Sequence, residues 1–384
     1  MSPLKSVTAL VALVASTLAI PVPSPEPLSE PQHLHKLFTR QDVQSPINGS
    51  LPNVTIFATG GTIASQGSSN TQTVGYSIGL GVQQIVDAVP EILNISNIAG
   101  YQVSNVGSGS INETILLELN SLITAELEKD DIAGVIITHG TDTLEETAFF
   151  MDLTIDSPKP VICVGAMRPA TALSADGPLN LLQAVTLAAS PNALGRGTMI
   201  TLNDRIGSAF YTTKNNANSL DTFYSTEAGQ LGFFINQVPY FYYEPAKPIG
   251  LTHFDLAGMT TLPQIDILYA HQDMDALLFN SSVQNGAEGI VYAGVGAGGM
   301  SSKASVAAEA VYNETGIPMV ASHRSADGFV PADDGDYIIA SGFFNPQKAR
   351  ILLQLAVASG FGESEIRGVF AESYPSPGGG MRRK

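Results

Sequence analysis

Apolar residues fall along this chain in short runs separated by longer stretches of helical periodicity. The runs at 54–58, 134–138, 160–165, 199–203, 265–269, 289–293 and 318–322 are mostly apolar at consecutive positions rather than alternate ones. That is the pattern of strands covered by helices on both faces. Between the runs, Thr143-x-x-Glu146 has the form of a capping box, and Leu144, Ala148 and Met151 lie on one face behind it. Asp176-Gly177-Pro178 opens a second helix, with proline near its first turn. Strand–helix alternation of this kind predicts an α/β fold on a mainly parallel sheet. The aromatic and proline-rich stretch 239–253 breaks the alternation. It predicts a larger N-terminal α/β domain (51–245), a linker (246–262) and a smaller C-terminal α/β domain (263–372).

The ends read differently. A short basic start is followed by an uncharged stretch at 6–20 and then a Pro/Ser/Glu tract. This predicts a secretory signal peptide at 1–19 and a disordered leader at 20–50, with a flexible tail at 373–384. Six Asn-x-Ser/Thr sequons, at Asn48, Asn53, Asn94, Asn112, Asn280 and Asn313, fit an exported glycoprotein. No second apolar stretch reaches membrane-spanning length. The charge balance, 18 Lys+Arg against 35 Asp+Glu, gives −17 over 384 residues. A surface so negative repels phosphate backbones and anionic lipid, which argues against nucleic-acid and membrane partners. The single cysteine, Cys163, excludes an intrachain disulfide framework, and its apolar run marks it as a buried, inert thiol.

Candidate chemistry gathers where strands run into glycines. In 54–64 a strand enters Thr59-Gly60-Gly61-Thr62, which fits either a nucleophilic hydroxyl beside an anion site or a plain strand–turn with a capping threonine. In 136–143 the same layout places Thr141 and Asp142 at a helix start, where Asp142 either caps the helix or holds a substrate ammonium group. His139, at the end of a buried run, reads as a satisfied structural histidine. Gly294-x-Gly296-x-x-Gly299 matches a dinucleotide fingerprint literally, but a tight strand–helix turn is the preferred reading, so no nicotinamide cofactor is expected. The histidines show no metal-ligand spacing, and neither a metal nor any other cofactor is expected.

ATGGTIA (58–64) with ITHGTDTLEETA (137–148) resembles the paired signature of the bacterial-type, secreted L-asparaginase/glutaminase family. GAMRPATALSADGPLNLLQAV (165–185), LNDRIGSAFYTTKNNANSLDTF (202–223), GIVYAGVGAG (289–298) and FFNPQKARILLQLA (343–356) carry the resemblance to about residue 372. It implies a two-domain α/β fold and conversion of L-asparagine to L-aspartate and ammonia, with L-glutamine secondary. It implies Thr62 as the nucleophile and Tyr76 as its proton partner. Thr141, Asp142 and Lys214 would form a second polar cluster. Ser108 would bind the substrate α-carboxylate and Asp142 the α-amino group, with the Thr141 N–H in an oxyanion hole. It also implies a homotetramer whose sites are shared between subunits.

Three positions depart from the family's pattern. Gly109 stands where a Gln or Glu commonly helps hold the α-amino group. Gly299 stands where an Asn or Ser reaches a neighbouring subunit's site. Gly335 stands where the neighbour supplies a Glu, with Asp334 or Asp336 as candidate substitutes. These departures bear on affinity and substrate preference more than on reaction type. They leave two rivals: an amidase for another amino-acid amide or a peptide, and a non-catalytic secreted amino-acid-binding protein.

Overall fold

The computed structural model describes residues 43–245, 252–332 and 337–372. A nine-stranded sheet forms the larger lobe. Its strands are β1 (Val43–Gln44), β2 (Asn53–Gly60), β3 (Asn97–Val106), β4 (Ile132–Thr138), β5 (Val161–Val164), β6 (Thr198–Leu202), β7 (Arg205–Ser208), β8 (Gly232–Ile235) and β9 (Val238–Phe241). Their spatial order is β1-β3-β2-β4-β5-β6-β7-β8-β9. The five strands from β3 to β6 are parallel, and antiparallel strands extend both edges. The smaller lobe carries four parallel strands: β10 (Ile265–Tyr269), β11 (Gly289–Gly294), β12 (Met319–His323) and β13 (Ile339–Ala340).

All seven runs of apolar residues become strands; all but 265–269 are buried along most of their length, whereas in that strand Ile267 and Tyr269 face solvent. Cys163 is buried in β5, and its thiol pKa is pushed up by burial, with the Asp152 carboxylate adding to the effect. The helix Leu144–Thr154 departs from its expected one-sided pattern. Phe149 and Phe150 are as buried as Leu144 and Ala148, because the small-lobe helix Pro346–Ala358 covers its outer face. Phe149, Phe210 and Phe344 meet there with ring centroids 4.8–5.6 Å apart, and one apolar core runs through both lobes.

Two expectations are corrected. The Thr143–Glu146 capping box does not form: the Thr143 hydroxyl donates to the Ser108 carbonyl at 2.8 Å, and Glu146 pairs with Arg350. The leader does not extend to residue 50, since Val43 is buried and β1 pairs with β3, opposite Ala99 and Gly100. Two residues are too few for any periodicity to announce them. Within the described part of the linker, Phe254 lies in the core and donates its N–H to the Leu153 carbonyl. Residues 1–42 and 373–384 lie outside the described residues, and with them the expected signal peptide, most of the expected leader and the expected tail.

Candidate active site

Numbered along the chain, the five parallel strands lie in the order 2-1-3-4-5. The connections therefore leave β2 in opposite directions, and a crevice opens between the carboxyl ends of β2 and β4, the usual ligand position in an open α/β sheet. The two glycine-threonine segments are the continuations of these two strands.

Glycine is required there for close approach. Gly61 has φ +80°, and a Cβ on it would lie 2.2 Å from the Cα of Gly140. A Cβ on Gly140 would lie 2.9 Å from the side chain of Ser108. Two turns thus touch backbone to backbone, with the Ser108 side chain packed against Gly140, and Thr62, Ser108 and Thr141 are brought together.

Thr62 follows Gly61 in a single 3₁₀ turn. Its Oγ1 lies 2.8 Å from the Tyr76 hydroxyl. Tyr76 is placed by a small antiparallel ribbon, Ser65–Gln66 with Ser77–Ile78. On the β4 side, Lys214 Nζ donates to Thr141 Oγ1 at 3.0 Å and to Asp142 Oδ1 at 2.7 Å. With Lys214 as donor, the Thr141 hydroxyl proton is free to point at a ligand. The Lys214 side chain is mostly buried at 12% exposure, whereas that of Asp142 is 81% exposed and keeps acceptor capacity for a cation. The site therefore holds two hydroxyls, each with its own proton partner, and an exposed carboxylate beside them.

Ser108 is buried next to this cluster. Gly109 is exposed, and nothing lies within 4 Å of where its Cβ would be. Gly299 is on an exposed small-lobe turn, pinned by mutual backbone hydrogen bonds with Val295. Asp334, Gly335 and Asp336 lie outside the described residues. The Gly294–Gly299 segment is a tight turn, where a Cβ on Gly294 would meet Gly298 at 2.4 Å. The following helix, Ser302–Thr315, is capped by the Ser301 hydroxyl. Among the described residues no cluster of His, Cys, Asp and Glu could hold a metal ion, and no helix is long and apolar enough to cross a membrane.

His139 is fully buried, with Nδ1 2.7 Å from the Gly140 carbonyl and Nε2 2.9 Å from Thr147 Oγ1. A carbonyl only accepts, so Nδ1 carries the proton and Nε2 accepts from the threonine. Burial lowers its pKa from the ordinary 6.5 to about 4, partly opposed by the Gly140 carbonyl. It is a neutral structural histidine behind the site.

Of the sequons, Asn48, Asn94, Asn112 and Asn313 are exposed. Asn53 and Asn280 are half-buried, and the Asn53 amide is tied to Asp131 and Asn97.

Residues 53–247 match the N-terminal asparaginase family model, and 264–370 match the glutaminase/asparaginase C-terminal domain. The chain belongs to the asparaginase family. It is 55% identical over 332 residues to L-asparaginase 2-3 of Saccharomyces cerevisiae, covering 85% of this chain and 92% of that one. It is 42% identical over 328 residues to L-asparaginase 2 of Escherichia coli, covering 84% and 93%. The crystal structure of a probable cytoplasmic L-asparaginase from Campylobacter jejuni superposes with a TM-score of 0.80 at 37% identity, covering 84% of this chain and 99% of that one. The family's two-domain α/β fold is the one described above.

Sequence reasoning missed Glu145, Asn345, Gln347 and Lys348, which brace the site from behind. Glu145 accepts the Lys214 backbone N–H at 3.0 Å and the Gln347 amide at 2.5 Å. A signal was present: Lys348 shares a helix face with Leu352 and Leu355, and a lysine on an apolar face marks a buried cation.

Proposed function

We propose that this protein hydrolyses L-asparagine to L-aspartate and ammonia by way of an ester on Thr62. The observation that carries the reading is the meeting of two strand-end threonines, one beside a tyrosine hydroxyl and one beside a lysine–aspartate pair, at the crevice of the sheet. An amide is a poor electrophile. It requires an activated nucleophile and stabilisation of the tetrahedral oxyanion.

Thr62 Oγ1 attacks the side-chain amide carbon; its proton passes to the Tyr76 oxygen 2.8 Å away as the phenol hands its own proton on towards the leaving nitrogen. The Thr141 N–H stabilises the oxyanion. The C–N bond breaks, the leaving nitrogen takes up a proton, and ammonia departs. Water then attacks the β-aspartyl ester, releasing aspartate and restoring the Thr62 hydroxyl. Asp142 holds the substrate ammonium and Ser108 its carboxylate, while Lys214 keeps Thr141 and Asp142 in register. L-Glutamine is a secondary substrate of the same site.

Ammonia release by wild type and Thr62→Ala, with L-asparagine, L-glutamine and D-asparagine offered separately, tests the reading. We expect L-asparagine turnover that falls by roughly 10³-fold or more in the variant. A folded wild type that turns over none of the three would refute it. The open space at Gly109 favours one rival, an amidase for another amino-acid amide or peptide, because one expected substrate-holding arm is missing. Losing one charge-assisted hydrogen bond costs roughly 1.5–3 kcal/mol. Turnover of such an amide in preference to L-asparagine would establish that rival.

The proposal extends to a secreted glycoprotein assembled as a homotetramer with sites shared between subunits, and to no nucleic-acid or membrane partner. The support is the N-terminal pattern, the exposed sequons and the acidic surface. A purified protein whose mass is that of one chain, unchanged by deglycosylation, would refute both the assembly and the glycans.

A further inference from the structure

The small lobe reaches the site through the start of one helix. Asn345 caps Pro346–Ala358, accepting the Lys348 N–H at 3.0 Å, and its amide donates to the Thr213 hydroxyl at 3.0 Å. Lys348 is 2% exposed. Its Nζ donates to the carbonyls of Ala209, Phe210 and Thr212 at 2.7, 3.0 and 2.7 Å, so all three of its hydrogens go to one loop of the large lobe. That loop leads directly into Thr213–Lys214. Gln347 completes the brace through Glu145, whose other carboxylate oxygen holds the Lys214 backbone N–H. Glu145 itself lies three residues beyond Asp142. The segments carrying Lys214 and Thr141–Asp142 are therefore both secured from the same helix turn.

A buried lysine is an expensive way to fill a core. An apolar side chain of similar length would fill the space but leave three buried carbonyls without partners. The lysine is retained where loop geometry matters, and the group this loop delivers is the Lys214 ammonium. We propose that Lys348, supported by Asn345 and Gln347, is a positioning residue that fixes the 209–214 backbone so that Lys214 meets both Thr141 and Asp142. The proposal rests on the reading of Lys214 as part of the asparagine site.

A kinetic double-mutant cycle tests it. Lys348→Met is expected to lower kcat by up to about 10²-fold, the effect of misplacing a reacting group by about 1 Å, with a much smaller change in KM. Lys348→Arg keeps charged donors and is expected to recover much of the loss. In a Lys214→Met background, Lys348→Met is expected to change kcat by less than about twofold, because the group it positions is already gone. Should Lys348→Met fail to fold, Asn345→Ser runs the same cycle, since serine still caps the helix but does not reach Thr213. Equal losses with and without Lys214, or a loss that only tracks the folded fraction, would make Lys348 purely structural and overturn the proposal. Wild-type turnover by Lys214→Met would overturn the reading of Lys214, and the proposal with it.

Discussion

His139 gives the site a built-in sensitivity to acid. Its folded pKa of about 4 lies below the 6.5 of the unfolded chain. Between those values the unfolded state binds a proton that the folded state refuses. Stability contributed by the neutral ring is therefore fully present above pH 6.5 and is lost as pH falls towards 4. At about 1.36 kcal/mol per pH unit, the loss over that window is about 3 kcal/mol, a large share of the 5–15 kcal/mol typical of a domain. The informative perturbation is His139→Asn, whose amide still donates to the Gly140 carbonyl but does not titrate. At pH 7.5 the variant should be less stable than wild type by roughly 1–3 kcal/mol, because Thr147 loses its acceptor. Urea unfolding followed by circular dichroism at pH 7.5, 6, 5 and 4 measures the gap. It should shift by about 3 kcal/mol in the variant's favour on acidification, closing or changing sign, since carboxylates common to both proteins cancel. A gap that stays constant from pH 7.5 to 4 would refute the assignment of His139 as a buried neutral ring.

Two further substitutions probe the crevice. Gly61→Ala puts a methyl 2.2 Å from the Gly140 backbone at a φ of +80°, so we expect little soluble, active protein; wild-type melting and turnover would contradict the close approach of the two turns. Tyr76→Phe removes the 2.8 Å partner of Thr62 and should lower kcat by roughly 10²-fold with a smaller effect on KM; a kcat within about twofold of wild type would remove Tyr76 from proton transfer.

The parts of the fold that could be read from the sequence share one physical property. β2, β4, β5 and β6 are covered on both faces, so their residues are apolar without interruption. β3 is equally central to the site, yet Gly100, Gln102 and Ser104 interrupt it, and it was not legible. Gly100 is there because Val43 and Val82 press against its backbone, and Gln102 because its amide satisfies neighbouring backbone groups. The antiparallel strands β7 to β9 are four residues each, too short for either the buried run of β7 or the alternation of β8 and β9 to stand out. At the site, Thr62, Thr141 and Asp142 could be found because each follows a strand and a glycine. The fate of the Thr143 hydroxyl could not, because its partner, the Ser108 carbonyl, is remote in sequence. Lys348 is the extreme case: its meaning lies in carbonyls some 136 residues upstream.

That separation has a counterpart in time. The ribosome finishes Thr212 long before it reaches Lys348, and at about 5–20 residues per second the delay is roughly 7–27 s. During this interval the nascent large lobe carries Thr62, Thr141, Asp142 and Lys214 but lacks the turn that braces the lysine. On the positioning role proposed for Lys348, full hydrolytic power cannot arrive before the second lobe docks, after most of the polypeptide has been made. The growing chain thus stays a weak consumer of asparagine until its synthesis is nearly complete.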